Sequence, residues 1–150
     1  MGAFVSTRLG ELKFTDEEVI HVLKGILGFS RYQKYIIIER EEDFPFKWLH
    51  SIEDSSLALV LTDPFLFFPD YRIEPDQKDL EELQGKDSKE LIIYVIVTVP
   101  TDLDLTSANL IAPLVINPKK RLAKQLVLPK SPYTIKHYLF HQIDKKPPKN

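Results

Sequence analysis

The chain has 150 residues, 43% of them hydrophobic and 28% charged, with a formal net charge of −2 and no cysteine. That is long enough to bury one real core, and the composition is that of a folded chain, not a disordered one. The near-neutral balance argues against the basic face that nucleic-acid binders need, and the lack of cysteine excludes disulfides, thiolate nucleophiles and Cys-ligated metals.

Strand patterns dominate in chain order. Ala3 to Arg8 alternates, Leu9-Gly10 supplies a bend, and Glu11 to Phe14 alternates again, which predicts an N-terminal hairpin. Thr15 to Glu18 turns the chain into Val19–Leu23, read as a strand with one helical turn as the alternative. Gly25 and Gly28 bracket a tight turn. Tyr35 to Glu39 is short and β-branched, hence a strand, and Glu39 to Asp43 is expected to be a solvated loop. Phe46 to Ser51 alternates, and Leu57 to Thr62 is a further strand closed by Asp63-Pro64. Between Pro64 and Pro69 the chain is rich in aromatics, and proline limits any strand there.

One segment, 76–84, predicts a short helix, with Asp76 as N-cap, Leu80 and Leu83 on one face and Gly85 as the stop. Leu91 to Val99 is a continuous apolar run, expected to be a central strand covered on both faces. Asn109 to Asn117 alternates, with Pro113 marking an edge or a bulge. Lys124 to Leu128 is expected to be a strand, Tyr133 to Phe140 the last ordered element, and 144–150 a solvated basic tail. The sum is roughly eight to ten strands and one helix without βα alternation, a mostly β, antiparallel, barrel-like fold in a single domain over 1–143.

No basic n-region followed by an apolar stretch opens the chain, and the longest apolar run, Leu91 to Val97, is far short of the roughly 20 residues of a membrane helix. Cytoplasm is the expected compartment, with no membrane association. Gly2 and Ser6 match the spacing of a myristoylation signal, which we take as chance.

Signatures of catalysis are missing: there is no Gly-x-Ser-x-Gly elbow and no phosphate loop. His137 and His141 are four apart, but on a strand that is about 13 Å, too far for one metal. The carboxylate pairs, such as Glu53-Asp54 and Glu81-Glu82, sit in charged loops or on a helix face and read as solvated surface. No cofactor or metal is expected, and the chain is expected not to be an enzyme. Aromatics, by contrast, cluster beside prolines: Phe44, Phe46 and Trp48, then Phe65, Phe67, Phe68 and Tyr71. Exposed rings and prolines suit protein interfaces, so a binding module is favoured. The alternative is a small-molecule-binding barrel with the same rings lining a pocket. A hydrolase of unfamiliar geometry is the third reading, to be revived by a strongly perturbed His or carboxylate in a cleft.

Several stretches, in order from about residue 3 to residue 140, resemble the flagellar assembly factor FliW family. They are Gly25-Ile-Leu-Gly-Phe29, Pro45 to Ser51, Leu57-Ala-Leu59 with Thr62-Asp-Pro64, Phe67 to Tyr71, Val97 to Pro100, Gln125 to Leu128 and, most specific, the block from Thr106 to Asn117. Four positions depart from the family pattern: Leu27, His50, Ser55 and Ala123, expected to be local backbone or surface changes, with His50 and Ser55 able to alter a contact surface. The resemblance implies a small β-barrel-like fold and two alternative protein partners, flagellin and the RNA-binding translational repressor CsrA, with no direct contact to nucleic acid. In that scheme the free protein binds CsrA and relieves repression of flagellin mRNA, and accumulating flagellin captures it and restores repression. Residues in family motifs and in expected loops or edges are the candidate partner-binding set: Phe46, Trp48, Pro69, Asp70, Tyr71, Asn109 and Pro113. The segment 109–117 is a candidate edge for an added strand. A monomer is expected, because no heptad demands a second copy.

Overall fold

The alternation at the N-terminus folds as a hairpin, β1 (Gly2–Ser6) against β2 (Gly10–Phe14), with Ser6 opposite Gly10 and Gly2 opposite Phe14. The structure, a computed structural model, describes residues 1–140. The expected tail at 144–150 and His141 lie outside the described residues.

Beyond the hairpin the strands are β3 (Ile20–Leu23), β4 (Lys34–Ile38), β5 (Phe46–Ser51), β6 (Ala58–Thr62), β7 (Ile92–Thr98), β8 (Ser107–Ala108), β9 (Leu114–Asn117), β10 (Leu122–Gln125) and β11 (His137–Tyr138). Their order is β11-β8-β7-β6-β5-β4-β3-β10-β9, and β9 pairs back onto β7 through Ile92↔Ile116 and Tyr94↔Leu114. The seven strands from β7 round to β9 therefore close on themselves, which removes the free edges of an open sheet. The pairing is antiparallel except β3 with β10, which is parallel. That pair departs from the antiparallel expectation because two strands far apart in sequence meet to close the ring.

Period-2 alternation sorts the side chains. Ile20, Val22, Tyr35, Leu49, Leu61, Leu114, Ile116 and Ala123 fill the barrel interior. The other face of β7 is covered as well, Val95 and Val97 packing with Tyr71, Leu110 and Leu139. The middle of the run, 93–97, is thus covered from both sides, as its composition predicts, whereas its ends, Ile92 and Thr98, are exposed. Only one helix longer than a 3-10 turn is described, α1 (Gln77–Glu82), inside the expected 76–84. Asp76 caps it, its carboxylate accepting from Asp79 N at 2.8 Å. Leu83, at its end, is fully buried beside Val115 and Leu126, a burial worth about 2 kcal/mol.

Polar groups fix α1 to the barrel. Asn117, 3% exposed, donates from Nδ2 to Leu83 O (2.8 Å) and Gln84 O (3.3 Å). Lys124 on β10 donates to Asp79 Oδ1 at 2.9 Å and also pairs with Glu82. Burial alone would push the Asp79 carboxyl up, but the Lys124 ammonium and the Asp76 amide outweigh it and hold it below the usual carboxylate range. Asn117, the last residue of the 109–117 block, thus serves the fold by holding the end of α1.

Several expectations need correction. The segment 109–117 is not one strand. Asn109 Oδ1 accepts from Ala112 N (3.1 Å), turning the chain, and only 114–117 is extended. Pro113 is buried, and β9 has a partner on both sides, so this segment is no edge and cannot accept an added strand. The strand expected at 124–128 is displaced to β10, because Leu126 N and Leu128 N bond to Pro113 O and Ile111 O instead. The last ordered element shrinks to β11. Residues 41–43 form a 3-10 turn, in which Asp43 is paired and half-buried.

His50 and Ala123 are not surface changes: both are fully buried. His50 joins the hairpin to the barrel. Its Nδ1 lies 2.8 Å from Ser51 O, which can only accept, so Nδ1 carries a proton. Ser6 Oγ already accepts from Arg8 N and Leu9 N, so its hydroxyl donates to His50 Nε2, 2.7 Å away. Phe4 packs edge-on against the imidazole with ring centroids 5.1 Å apart.

A candidate partner-binding surface

At one end of the barrel four strands stop or start together: β4 ends at Ile38, β5 begins at Phe46, β6 ends at Thr62 and β7 begins at Ile92. Pro64 explains the end of β6. Proline has no N–H for the ladder, and Asp63 starts a 3-10 turn over Pro64–Leu66, its carboxylate accepting from Phe65 N at 2.9 Å. The turn throws Phe65 and Leu66 outward, 39% and 55% exposed. Phe44, opposite, is 77% exposed. Together with Phe46, Ile92 and Tyr94 they wall an open groove of about 710 Å³ over the barrel mouth.

The rim of this groove is acidic. Lys47 Nζ pairs with Glu39 at 2.7 Å, and Arg40 Nε pairs with Asp43 at 2.6 Å. The Arg40 guanidinium, bonded to Asp43, holds that carboxyl below the usual range, and Trp48 Nε1 adds a bond to the same carboxylate at 3.0 Å. Trp48 is therefore a half-buried brace for the rim.

A second groove, about 400 Å³, lies beyond the turn between Phe68, Pro69, Asp70, Tyr133 and His137. Tyr71 lines it from inside: only 1% exposed, it donates to Leu110 O at 2.7 Å, and its ring centroid is 4.7 Å from that of Tyr133. Burial pushes the Tyr71 hydroxyl up, so it stays a donor. His137 Nε2 accepts from Thr134 N at 2.9 Å, and desolvation lowers the pKa of its imidazole, consistent with the neutral form that bond requires. The linings of the two grooves touch through their rings. Phe46 stacks on Phe67 with centroids 6.2 Å apart, and Phe65 of the mouth lies 5.9 Å from Tyr71 of the second groove.

The structure brings Phe46, Pro69, Asp70 and Tyr71 to this surface, with Trp48 behind it. Pro69 and Asp70 are exposed, Phe46 and Trp48 half-buried. Tyr71 and Pro113 were expected in exposed loops or edges but are buried, because Tyr71 roots its loop in the core and Pro113 lies between Ala112 and β9. Asn109 serves as a turn cap. Phe44 and Phe65 stand in the aromatic clusters read from the sequence but outside the candidate set, and Leu66 and Ile92 were not singled out at all. The signal for Phe65 and Leu66 was the Asp63-Pro64 break, which sends the rings after it off the sheet.

The interior of the barrel is filled by side chains, so the rings line surface grooves and not a chamber inside the barrel. Among the described residues no group of three or more His, Asp or Glu could hold a metal ion. No helix among them is long and apolar enough to cross a membrane.

Comparison with known proteins gives a consistent result. A family model described as FliW protein matches residues 3–139. The flagellar assembly factor FliW of Alkaliphilus metalliredigens is 44% identical over 137 residues, 91% of this chain and 85% of that one. Its counterpart in Natranaerobius thermophilus is 41% identical, with 91% of both chains covered. A crystal structure of the flagellar assembly factor FliW superposes with a TM-score of 0.87 at 37% identity, over 93% of this chain and 97% of that one.

Proposed function

Because the chain belongs to the FliW family, we propose that it is a flagellar assembly factor that works by binding proteins, with flagellin and the translational repressor CsrA as alternative partners. Free protein sequesters CsrA and lets flagellin mRNA be translated. Flagellin that accumulates takes the protein away from CsrA and repression returns. No bond is made or broken in this scheme, only two complexes exchanged.

The observation that supports it is the joined pair of aromatic grooves. Exposed Phe44, Phe65 and Leu66 on one side and Pro69 on the other supply the rigid apolar contact that carries binding energy in interfaces. A partner seated on either groove meets rings that pack directly against those of the other, through Phe46–Phe67 and Phe65–Tyr71. Partners wider than one groove would collide across that boundary, which would make two complexes mutually exclusive. The acidic rim of the mouth also suits an RNA-binding partner, which must carry basic surface. The small-ligand reading fits less well, since such sites enclose most of their ligand and this groove is open.

Calorimetric titration tests the proposal, with CsrA and flagellin from the same organism added separately to wild type, to Phe65→Ser/Leu66→Ser and to Asp70→Lys. Wild type should bind both, and at least one variant should lose a partner by tenfold or more. Absence of binding to either partner, with both shown folded, would refute it.

A further inference from the structure

The ring of strands has a gap beside the start of β7. The β6–β7 ladder runs Val60↔Val97, Leu61↔Ile96, Thr62↔Val95 and stops. Continued in the same register it would set Pro64 against Ile93, but Pro64 has no N–H and already belongs to the 3-10 turn. On the opposite side, Ile96 O accepts from Asn109 N. Peptide groups alternate sides along a strand, so those of Val95 and Val97 point toward β6, and that of Ile93 points the same way, into the gap. Ile92, Ile93 and Tyr94 all line the mouth groove. One short stretch of strand edge thus opens into the apolar groove.

Charge selects what can enter. Glu39, Glu41 and Asp63 line the groove with Arg40 and Lys47, Glu42 and Asp43 stand beside Arg40, and both cations are already held by Asp43 and Glu39. The surplus is negative, and within about 8–10 Å of it a cation is attracted at physiological salt. Phosphate backbones and anionic lipid are repelled by the same surplus.

We infer that the barrel mouth seats an extended protein segment that alternates large apolar residues with lysine or arginine, pairing its backbone with Ile93 and setting its apolar side chains against Phe44, Phe65 and Leu66. This rests on the partner-binding reading and specifies the chemistry of what enters. Strand addition supplies affinity through the main chain, and the pockets on either side supply specificity. The edge earlier expected at 109–117 is shut by pairing on both sides. The start of β7 is the edge that opens into the groove.

The test is an NMR titration of the isotope-labelled full chain with three synthetic peptides of about 12 residues, long enough to cross the groove. They share alternating leucine and phenylalanine and differ in the intervening residues, which are all lysine, all serine or all glutamate. The lysine peptide should shift the amides of Phe44, Phe46, Lys47, Phe65, Leu66 and Ile92–Tyr94, and bind at least tenfold more tightly than the glutamate peptide. Glu41→Lys/Glu42→Lys, two exposed positions, should shrink or reverse that preference, and Phe65→Ser should weaken the lysine peptide tenfold. Shifts centred elsewhere, equal affinity for the lysine and glutamate peptides, or no shifts at about 1 mM peptide, the weak limit of specific binding, would overturn the inference. The peptides are independent of flagellin and CsrA, so failure here and failure of the partner titrations are separate results.

Discussion

Replacing Asn117 by alanine should loosen α1 from the barrel and cost about 2–4 kcal/mol. The side chain makes four hydrogen bonds: Nδ2 donates to Leu83 O (2.8 Å) and Gln84 O (3.3 Å), and Oδ1 accepts from Lys119 N (3.1 Å) and Lys120 N (3.3 Å). The two lysine positions are exposed, so their amides find water once Oδ1 is gone. Leu83 is fully buried, and its carbonyl does not. A buried acceptor left alone costs about 1–3 kcal/mol, and the remaining bonds add roughly 1 kcal/mol together, since the longer ones are weak and water replaces them. For a chain of this size each kcal/mol lowers Tm by about 2–4 °C. Urea denaturation read by tryptophan fluorescence and circular dichroism measures the loss directly. Asn117→Asp is the companion variant: it keeps the acceptors for Lys119 and Lys120 but turns a carboxylate toward two carbonyls, so it should be at least as unstable as alanine. A loss below about 0.5 kcal/mol for alanine, within the scatter of surface substitutions, or an aspartate variant as stable as wild type, would refute the assignment.

Three further outcomes follow from the same structure. Tyr35→Phe should leave stability unchanged or raise it by up to about 1 kcal/mol, because the Tyr35 hydroxyl is buried without a partner and pushed up to about 12 by that burial; a clear loss in thermal unfolding would mean the hydroxyl has a bond. Lys124→Met should destabilise the fold and flatten its acid limb. The Lys124 bond and ammonium hold the Glu82 carboxyl low, and at Asp79 they overcome the burial that would raise it, so this stability is present above the ordinary carboxylate pKa of about 4 and is lost as pH falls through the depressed folded values. An unchanged slope of stability against pH between about 5 and 2 would contradict this. Ser6→Ala removes the hydroxyl that serves His50, Arg8 and Leu9 at once, and should cost about 1–3 kcal/mol while speeding amide exchange in β1 and β2 more than in β5 and β6. Uniform acceleration would show that the hairpin is not held locally by this bond.

Elements whose signal is local were legible in the sequence. The hairpin, α1 and β7 stand within a residue or two of their expected places, because alternation, a capping aspartate and an uninterrupted β-branched run each act over neighbouring residues. What depended on distant partners was not. The alternation across 109–117 suggested one strand, but Asn109 bonds to Ala112 N and bends the chain, and Gln125 from β10 bonds to Ala112 O and Leu27 N across the gap. The closing pair β7–β9 and the parallel pair β3–β10 arise from ring geometry, which leaves no mark on a single strand.

The candidate surface was half legible for the same reason. Aromatics near prolines were visible, yet exposure is decided by where the chain turns. Tyr71 sits in the same aromatic stretch as Phe65 and ends in the core because its hydroxyl reaches Leu110 O, whereas the turn at Pro64 leaves Phe65 outside. His50 shows the converse: a polar residue at an alternating position is fully buried because Ser6, far away in the sequence, completes its bonds.

The proposal of partner exchange is tested most directly by displacement. CsrA carrying a fluorophore is saturated with this protein, and flagellin from the same organism is added while anisotropy is followed. The account predicts that the signal falls to that of free CsrA as flagellin reaches equivalence with the protein, with no species containing all three in size-exclusion chromatography. Unchanged anisotropy in the presence of bound flagellin, or a stable ternary complex, would contradict it.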